Sequence, residues 1–107
     1  MAAQNIYVHF APRIIHSERR PCCFRQMILD AARNIHLRKQ ATNLLSFYAG
    51  LRHGYCPRLD EITKATGIAR QDISKVRKRL MTRGLIDYQP ESYVFIDWRH
   101  IRILASL

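Results

Sequence analysis

Between Gly67 and Gly84 the sequence spaces Ile73, Val76 and Leu80 three and four residues apart and fills most other positions with Arg, Lys, Gln and Ser. Apolar residues at that spacing share one face of a helix turning about 100° per residue, so residues 70–83 read as an amphipathic helix with an inward stripe. Residues 59–66 read as a shorter helix just before it. Leu59, Ile62 and Ala65 face inward, Asp60 and Glu61 sit in the first turn where the helix dipole favours anions, and Gly67 follows the end. Gly84 stops the longer helix, and two β-rich runs, 85–88 and 93–97, follow on either side of the turn signal Gln89-Pro90-Glu91-Ser92. They read as a hairpin with Tyr93 and Phe95 on one face and Val94 and Ile96 on the other. A helix, a tight turn, a second helix and a hairpin leave few folds open.

Upstream, Pro21 suits the first position of a helix over 21–34, where its missing N–H is no loss, and Phe24, Met27, Ile28, Ala31 and Ala32 recur at helical spacing. A longer helix over 35–52 places Leu37, Ala41, Leu44, Leu45, Tyr48 and Leu51 on one stripe, with Arg38, Lys39, Gln40, Asn43 and Ser46 away from it, and Gly54 as the stop. Residues 55–58 read as a short extended piece, since the residue before Pro57 avoids the α region. Residues 6–10 read as a strand or an extended arm. The C-terminal residues Trp98, Ile101, Leu104 and Leu107 are three apart and predict a helix, although Ile101 and Ile103 also fit a strand. The fold class expected is mainly α with a small β-hairpin, an α+β chain.

At 107 residues, 48% of them hydrophobic, the chain is sized for one core, so residues 1–107 read as a single domain: an N-terminal arm and helix (1–34), a central unit (35–97) and a C-terminal segment (98–107). Eighteen Lys and Arg against eight Asp and Glu give a net charge of +10, which points to a polyanionic partner. Residues 36–58 hold four basic residues and no acidic one, and 59–84 hold seven against three. The last stretch, 85–107, holds two against three, so positive charge belongs to the first three quarters.

Several classes of activity find no support. The glycines at 50, 54, 67 and 84 form no phosphate-cradling loop, no Ser sits in a nucleophile elbow, and the histidines at 9, 16, 36, 53 and 100 show no HExxH pairing. No catalytic residues, cofactor or enzyme activity are expected. Cys22, Cys23 and Cys56 read as reduced thiols; a zinc site drawn from Cys22 or Cys23, Cys56, His53 and one more His lacks paired Cys-x2-Cys spacing, so no metal is expected. Apolar runs fall short of a membrane span and the N-terminus carries no secretion signal, so the expected location is cytoplasmic, on the nucleoid when bound to DNA.

With Ile73, Val76 and Leu80 inward, the helix over 70–83 turns Gln71, Ser74, Lys75, Lys78 and Thr82 outward, with Arg70 and Arg79 on the flanks. Such a helix suits the major groove, about 12 Å wide, where Arg bonds guanine and Gln bonds adenine in bidentate fashion. Arg70, Gln71, Ser74 and Lys75 are the expected base-reading residues. Lys78, Arg79 and Arg83 are placed for phosphates, with Arg58 and Lys64 on the preceding stretch.

The stretch from Thr66 to Ile86 resembles winged helix-turn-helix DNA-binding domains of the kind found in phage and plasmid replication initiators and in MarR-like regulators. Thr66, Gly67, Ile68, Arg70, Ile73, Val76, Leu80, Arg83, Gly84, Leu85 and Ile86 carry the likeness, which extends over about residues 35–97. It implies a three-helix core with a wing, preceded by an N-terminal helix, and a protein that binds double-stranded DNA, as a small repressor or at a replication origin; because the chain ends at Leu107, a stand-alone regulator is favoured. Three positions depart from the pattern. Ala69 stands where a capping Ser is common, Arg77 where the residue is often apolar, and the hairpin tip holds Glu91 and no cation. Arg13, Arg19 and Arg20 are the alternative phosphate clamp.

One reading helix spans few base pairs, so a homodimer on a palindrome is expected, joined through the N-terminal segment and residues 98–107, where apolar residues are left over. The reading of another class is a winged helix that engages a protein partner through its hairpin or C-terminal segment and binds no DNA.

Overall fold

The computed structural model describes residues 12–89 and 92–107. The strand or arm expected over 6–10 and the turn residues Pro90 and Glu91 lie outside them. In chain order the elements are β1 (Arg13–His16), α1 (Phe24–Asn34), α2 (Lys39–Gly50), α3 (Leu59–Thr66), a single 3-10 turn (Arg70–Asp72) leading into α4 (Ile73–Thr82), β2 (Ile86–Gln89), β3 (Tyr93–Ile96) and α5 (Trp98–Ala105). The described residues form an α+β globule of five α-helices and a three-stranded mixed sheet.

The bounds of α3 agree with the spacing of its residues; those of its neighbours are narrower than expected, each for a backbone reason. Cys23 precedes α1 with no side-chain cap, and the Pro21 carbonyl accepts the Phe24 N–H, so residues 21–23 form a turn and not the first helical turn. Residues 35–38 are not helical either. His36 takes the left-handed backbone (φ 54°), the His36 N–H reaches the Arg33 carbonyl and the Leu37 N–H that of Ala32. That bond pair is the Schellman closure of a helix, made here without glycine. Ala69 offers no side-chain acceptor, so the donors ahead of α4 are taken up by the tighter turn, with Asp72 N–H on the Ala69 carbonyl, and α4 proper starts at Ile73.

The core gathers on α2, whose Ala41, Leu44, Leu45, Tyr48 and Ala49 are buried among Ile28 and Ala31 of α1, Ile62 of α3 and Ile73, Val76 and Leu80 of α4. Ala65, expected inward, is exposed. Each three-residue step falls about 60° short of a full turn, which carries Ala65 beyond the face that Ile62 buries.

The sheet extends the expected hairpin. β3 is central: β2 pairs with it antiparallel, Ile86 opposite Ile96 and Gln89 opposite Tyr93, while β1 lies parallel on its other edge with Ile14 beside Val94. The outer edge of β1 meets the extended piece after α2, through Ile14 N–H to the Tyr55 carbonyl and Gly54 N–H to the Ile14 carbonyl. Val94, Ile96 and Ile14 form the buried face of the sheet.

α5 is a helix, and Trp98 and Ile101 on it are fully buried against α1 and the sheet. These residues counted as apolar surface left over for a second subunit; the fold consumes them in its own core. Among the described residues, Ile103 and Leu107 at this end, Leu29 on α1 and Met81 on α4 remain as large exposed apolar side chains. Among the described residues no helix is long and apolar enough to cross a membrane.

Candidate nucleic-acid interface

α4 is oriented by its apolar stripe. Ile73, Val76 and Leu80 are 2%, 1% and 0% exposed, which turns Gln71, Ser74, Lys75, Lys78, Arg79 and Thr82 to the surface together with Arg70 on the 3-10 turn. Gly67, at φ 73°, turns the chain between α3 and this segment, its N–H closing onto the Thr63 carbonyl. Among the described residues, none of Arg70, Lys75, Lys78, Arg79 and Arg83 meets a carboxylate; the ion pairs are Asp30 with Arg33, Asp60 with Arg58 and Glu18 with Arg102. The face is therefore cationic and electrostatically unspent.

Arg77 departs from its neighbours. It is the one buried charged side chain among the described residues, 6% exposed. Its Nε–H donates to the Tyr48 hydroxyl at 2.9 Å, a second N–H donates to the Tyr88 hydroxyl, and the guanidinium lies 4.5 Å from the centre of the Tyr88 ring. Burial pushes the Tyr48 phenol above its ordinary range and the Arg77 charge opposes that rise, so the hydroxyl stays protonated and neutral. One side chain thus ties α4 to α2 and to β2 and sets how the exposed helix sits against the hairpin. The sequence marked it as standing where an apolar residue is common; its two phenolic partners, Tyr48 and Tyr88, come from distant parts of the chain.

At the C-terminal end of α4 the surface folds into a notch of about 290 Å³ lined by His36, Leu37, Arg38, Arg79, Thr82 and Arg83. The Schellman turn before α2 forms one wall and the last turn of α4 the other. Arg83 is held there by an N–H bond to the Ile35 carbonyl at 2.9 Å, and His100 bonds the Arg83 carbonyl at 3.1 Å. His36 and Arg38 were not among the expected phosphate contacts. Their signal was the acid-free charge of residues 36–58.

The remaining candidates lie elsewhere. Arg58 is exposed and 3.5 Å from Asp60, and Lys64 is exposed on α3. Glu61 accepts the Arg58 backbone N–H and the Tyr55 hydroxyl, so the acids in the first turn of α3 serve the helix start. Arg13 is exposed on β1. Arg19 and Arg20 gather at the C-terminal end of α2, where Arg20 donates to the Ala49 and Gly50 carbonyls at 3.1 and 2.9 Å. The notch lies at the other end of that helix, about 18 Å away at 1.5 Å per residue. The fold thus brings Arg70, Gln71, Ser74, Lys75, Lys78, Arg79 and Arg83 together along one helix and keeps Arg19 and Arg20 in a separate group. Cys22, Cys23 and Cys56 are all exposed thiols, and among the described residues no three His, Cys, Asp or Glu side chains gather as a metal would need. No known protein family, curated protein or solved structure matches the chain.

Proposed function

We propose that the protein binds double-stranded DNA sequence-specifically, with α4 in the major groove, as a small transcriptional repressor; binding at a replication origin would use the same chemistry. In this reading α3 and α4 form the helix-turn-helix pair and β2–β3 is the wing of a winged helix, with β1 widening its sheet. The observation that carries it is the exposed face of α4, where polar and cationic side chains that meet no carboxylate among the described residues project from a helix whose other face is packed on the core. Arg70, Gln71, Ser74 and Lys75, at the N-terminal half, read bases, while Lys78, Arg79 and Arg83 hold phosphates. Arg38 and His36 extend the phosphate grip past the end of α4.

The test is duplex selection from a random pool, followed by titrations over a range of salt. Affinity is expected to fall with salt at a log–log slope of about −0.9 for each phosphate neutralised. Lys78→Ala should weaken all duplexes alike and flatten that slope by about one, whereas Arg70→Ala should lower discrimination by about 1–3 kcal/mol at one or two positions. Equal effects from both substitutions refute the division of roles, and no duplex binding at low salt overturns the reading in favour of a protein-binding module.

A further inference from the structure

At the end of α2 opposite the basic notch lies an open cleft of about 690 Å³, its walls formed by Arg19, Arg20, Phe24, Leu51, Arg52 and His53. That volume falls within the roughly 300–1,000 Å³ of small-ligand sites. Two of its donors are fixed by the fold. Arg20 spends one nitrogen on the last carbonyls of α2 and lies 4.7 Å from the centre of the Phe24 ring, so its plane is set and its other N–H groups have no partner among the described residues. The His53 Nδ1 accepts the His16 backbone N–H at 3.1 Å, which leaves Nε2–H as the ring's donor.

His16, behind His53, is saturated: its Nδ1 accepts the Trp98 indole N–H at 2.9 Å and its Nε2–H donates to the Leu51 carbonyl at 2.7 Å. It shapes the wall and offers nothing to a ligand. Arg19 and Arg52 are exposed and meet no carboxylate among the described residues; the one acid on the rim, Glu18, is held by Arg102 at 2.6 Å. The cleft therefore combines two positioned donors, two exposed cations and an apolar wall.

We propose that this cleft binds a small phosphorylated molecule of the mononucleotide class. Arg19, Arg52 and His53 take the phosphate, since guanidinium forks match its oxygens, and the planar body lies on the face of the Arg20 guanidinium turned away from Phe24, beside Leu51. A concave site with an apolar wall suits a ligand with an aromatic body. A duplex, whose bases are stacked away, would use the cations and leave the wall idle. The proposal does not depend on α4 binding DNA.

The experiment is calorimetric titration of the full chain with adenosine 5′-monophosphate, inorganic phosphate and adenosine, with the fluorescence of Trp98, the single tryptophan, as a second readout. The nucleotide should saturate below about 1 mM and bind about tenfold or more tighter than either fragment. Arg52→Ala and Arg19→Ala should each weaken it about tenfold, with melting temperatures unchanged because both side chains are exposed. Absence of saturable nucleotide binding, adenosine binding as tightly as the nucleotide, or affinities unchanged in both variants would overturn the proposal. So would a loss of duplex affinity in these variants with no nucleotide binding, which would assign the patch to DNA.

Discussion

Arg77 carries its charge into an interior where, among the described residues, no carboxylate meets it. Two phenol oxygens and the face of Tyr88 replace part of its lost hydration, so Tyr48 and Tyr88 together hold the charge in place. Arg77→Ala is expected to lower the unfolding free energy by about 2–4 kcal/mol in urea titrations, since it leaves the Tyr48 hydroxyl buried without a partner and opens a cavity. His16 makes a pH-dependent counterpart. Burial first, then the charges of Arg20 and His53, hold its pKa below the ordinary 6.5, and the bond to the Leu51 carbonyl only partly offsets them. The unfolded chain therefore binds the proton more readily. The contribution of His16 is present above pH 6.5 and is lost as pH falls through that value towards the lower folded pKa. Protonation would also place a hydrogen on Nδ1, where the Trp98 N–H now donates. Urea midpoints measured from pH 7.5 down to 5.5 should fall for the native chain and fall less for His16→Gln; parallel curves would remove His16 from the account.

Each helix owes its limits to how its end groups are satisfied, and these limits separate what periodicity can read from what it cannot. The apolar spacing of α3 and the glycine after it agree, so that helix is visible in the sequence to the residue. Gly84, at φ 75°, closes α4 through its N–H to the Met81 carbonyl and the Leu85 N–H to the Leu80 carbonyl, and a Cβ there would come within 3.0 Å of the His100 ring. Between α1 and α2 the same closure is made at His36, and with no glycine or proline to mark the break the two helices read as abutting. A left-handed residue with a Cβ costs about 1–2 kcal/mol, of which Gly would return about 0.4–1 kcal/mol to the unfolded chain as entropy. His36→Gly should therefore raise stability by up to about 1 kcal/mol in thermal or urea unfolding. A loss of stability would mean that the imidazole makes a contact worth more than the strain.

For the whole molecule, the α5 packing bears on assembly. With Trp98 and Ile101 buried, the large exposed apolar side chains among the described residues are Leu29, Met81, Ile103 and Leu107, 52%, 37%, 54% and 75% exposed. Light scattering at tens of micromolar should give twice the chain mass, shifting to the chain mass in Ile103→Glu; a monomer from the native chain removes the dimer from the proposed mode of DNA recognition. The sheet was the least legible part of the fold. Arg13-Ile14-Ile15-His16 becomes a strand because β3 offers a free edge some 80 residues later in the chain, and parallel pairing of that kind leaves no local signature. The notch and the cleft were invisible for a similar reason, since each joins side chains from segments that only packing brings together. What the sequence determined by itself was every property that repeats within a few residues: the amphipathic face of α4, the short helix before it, the hairpin and the excess of positive charge. Tertiary structure alone decided which cations stand together, where Arg77 goes and that Trp98 belongs to the core. Periodicity and turn chemistry act over one or two turns of chain, whereas burial is settled by surfaces meeting across the whole of it.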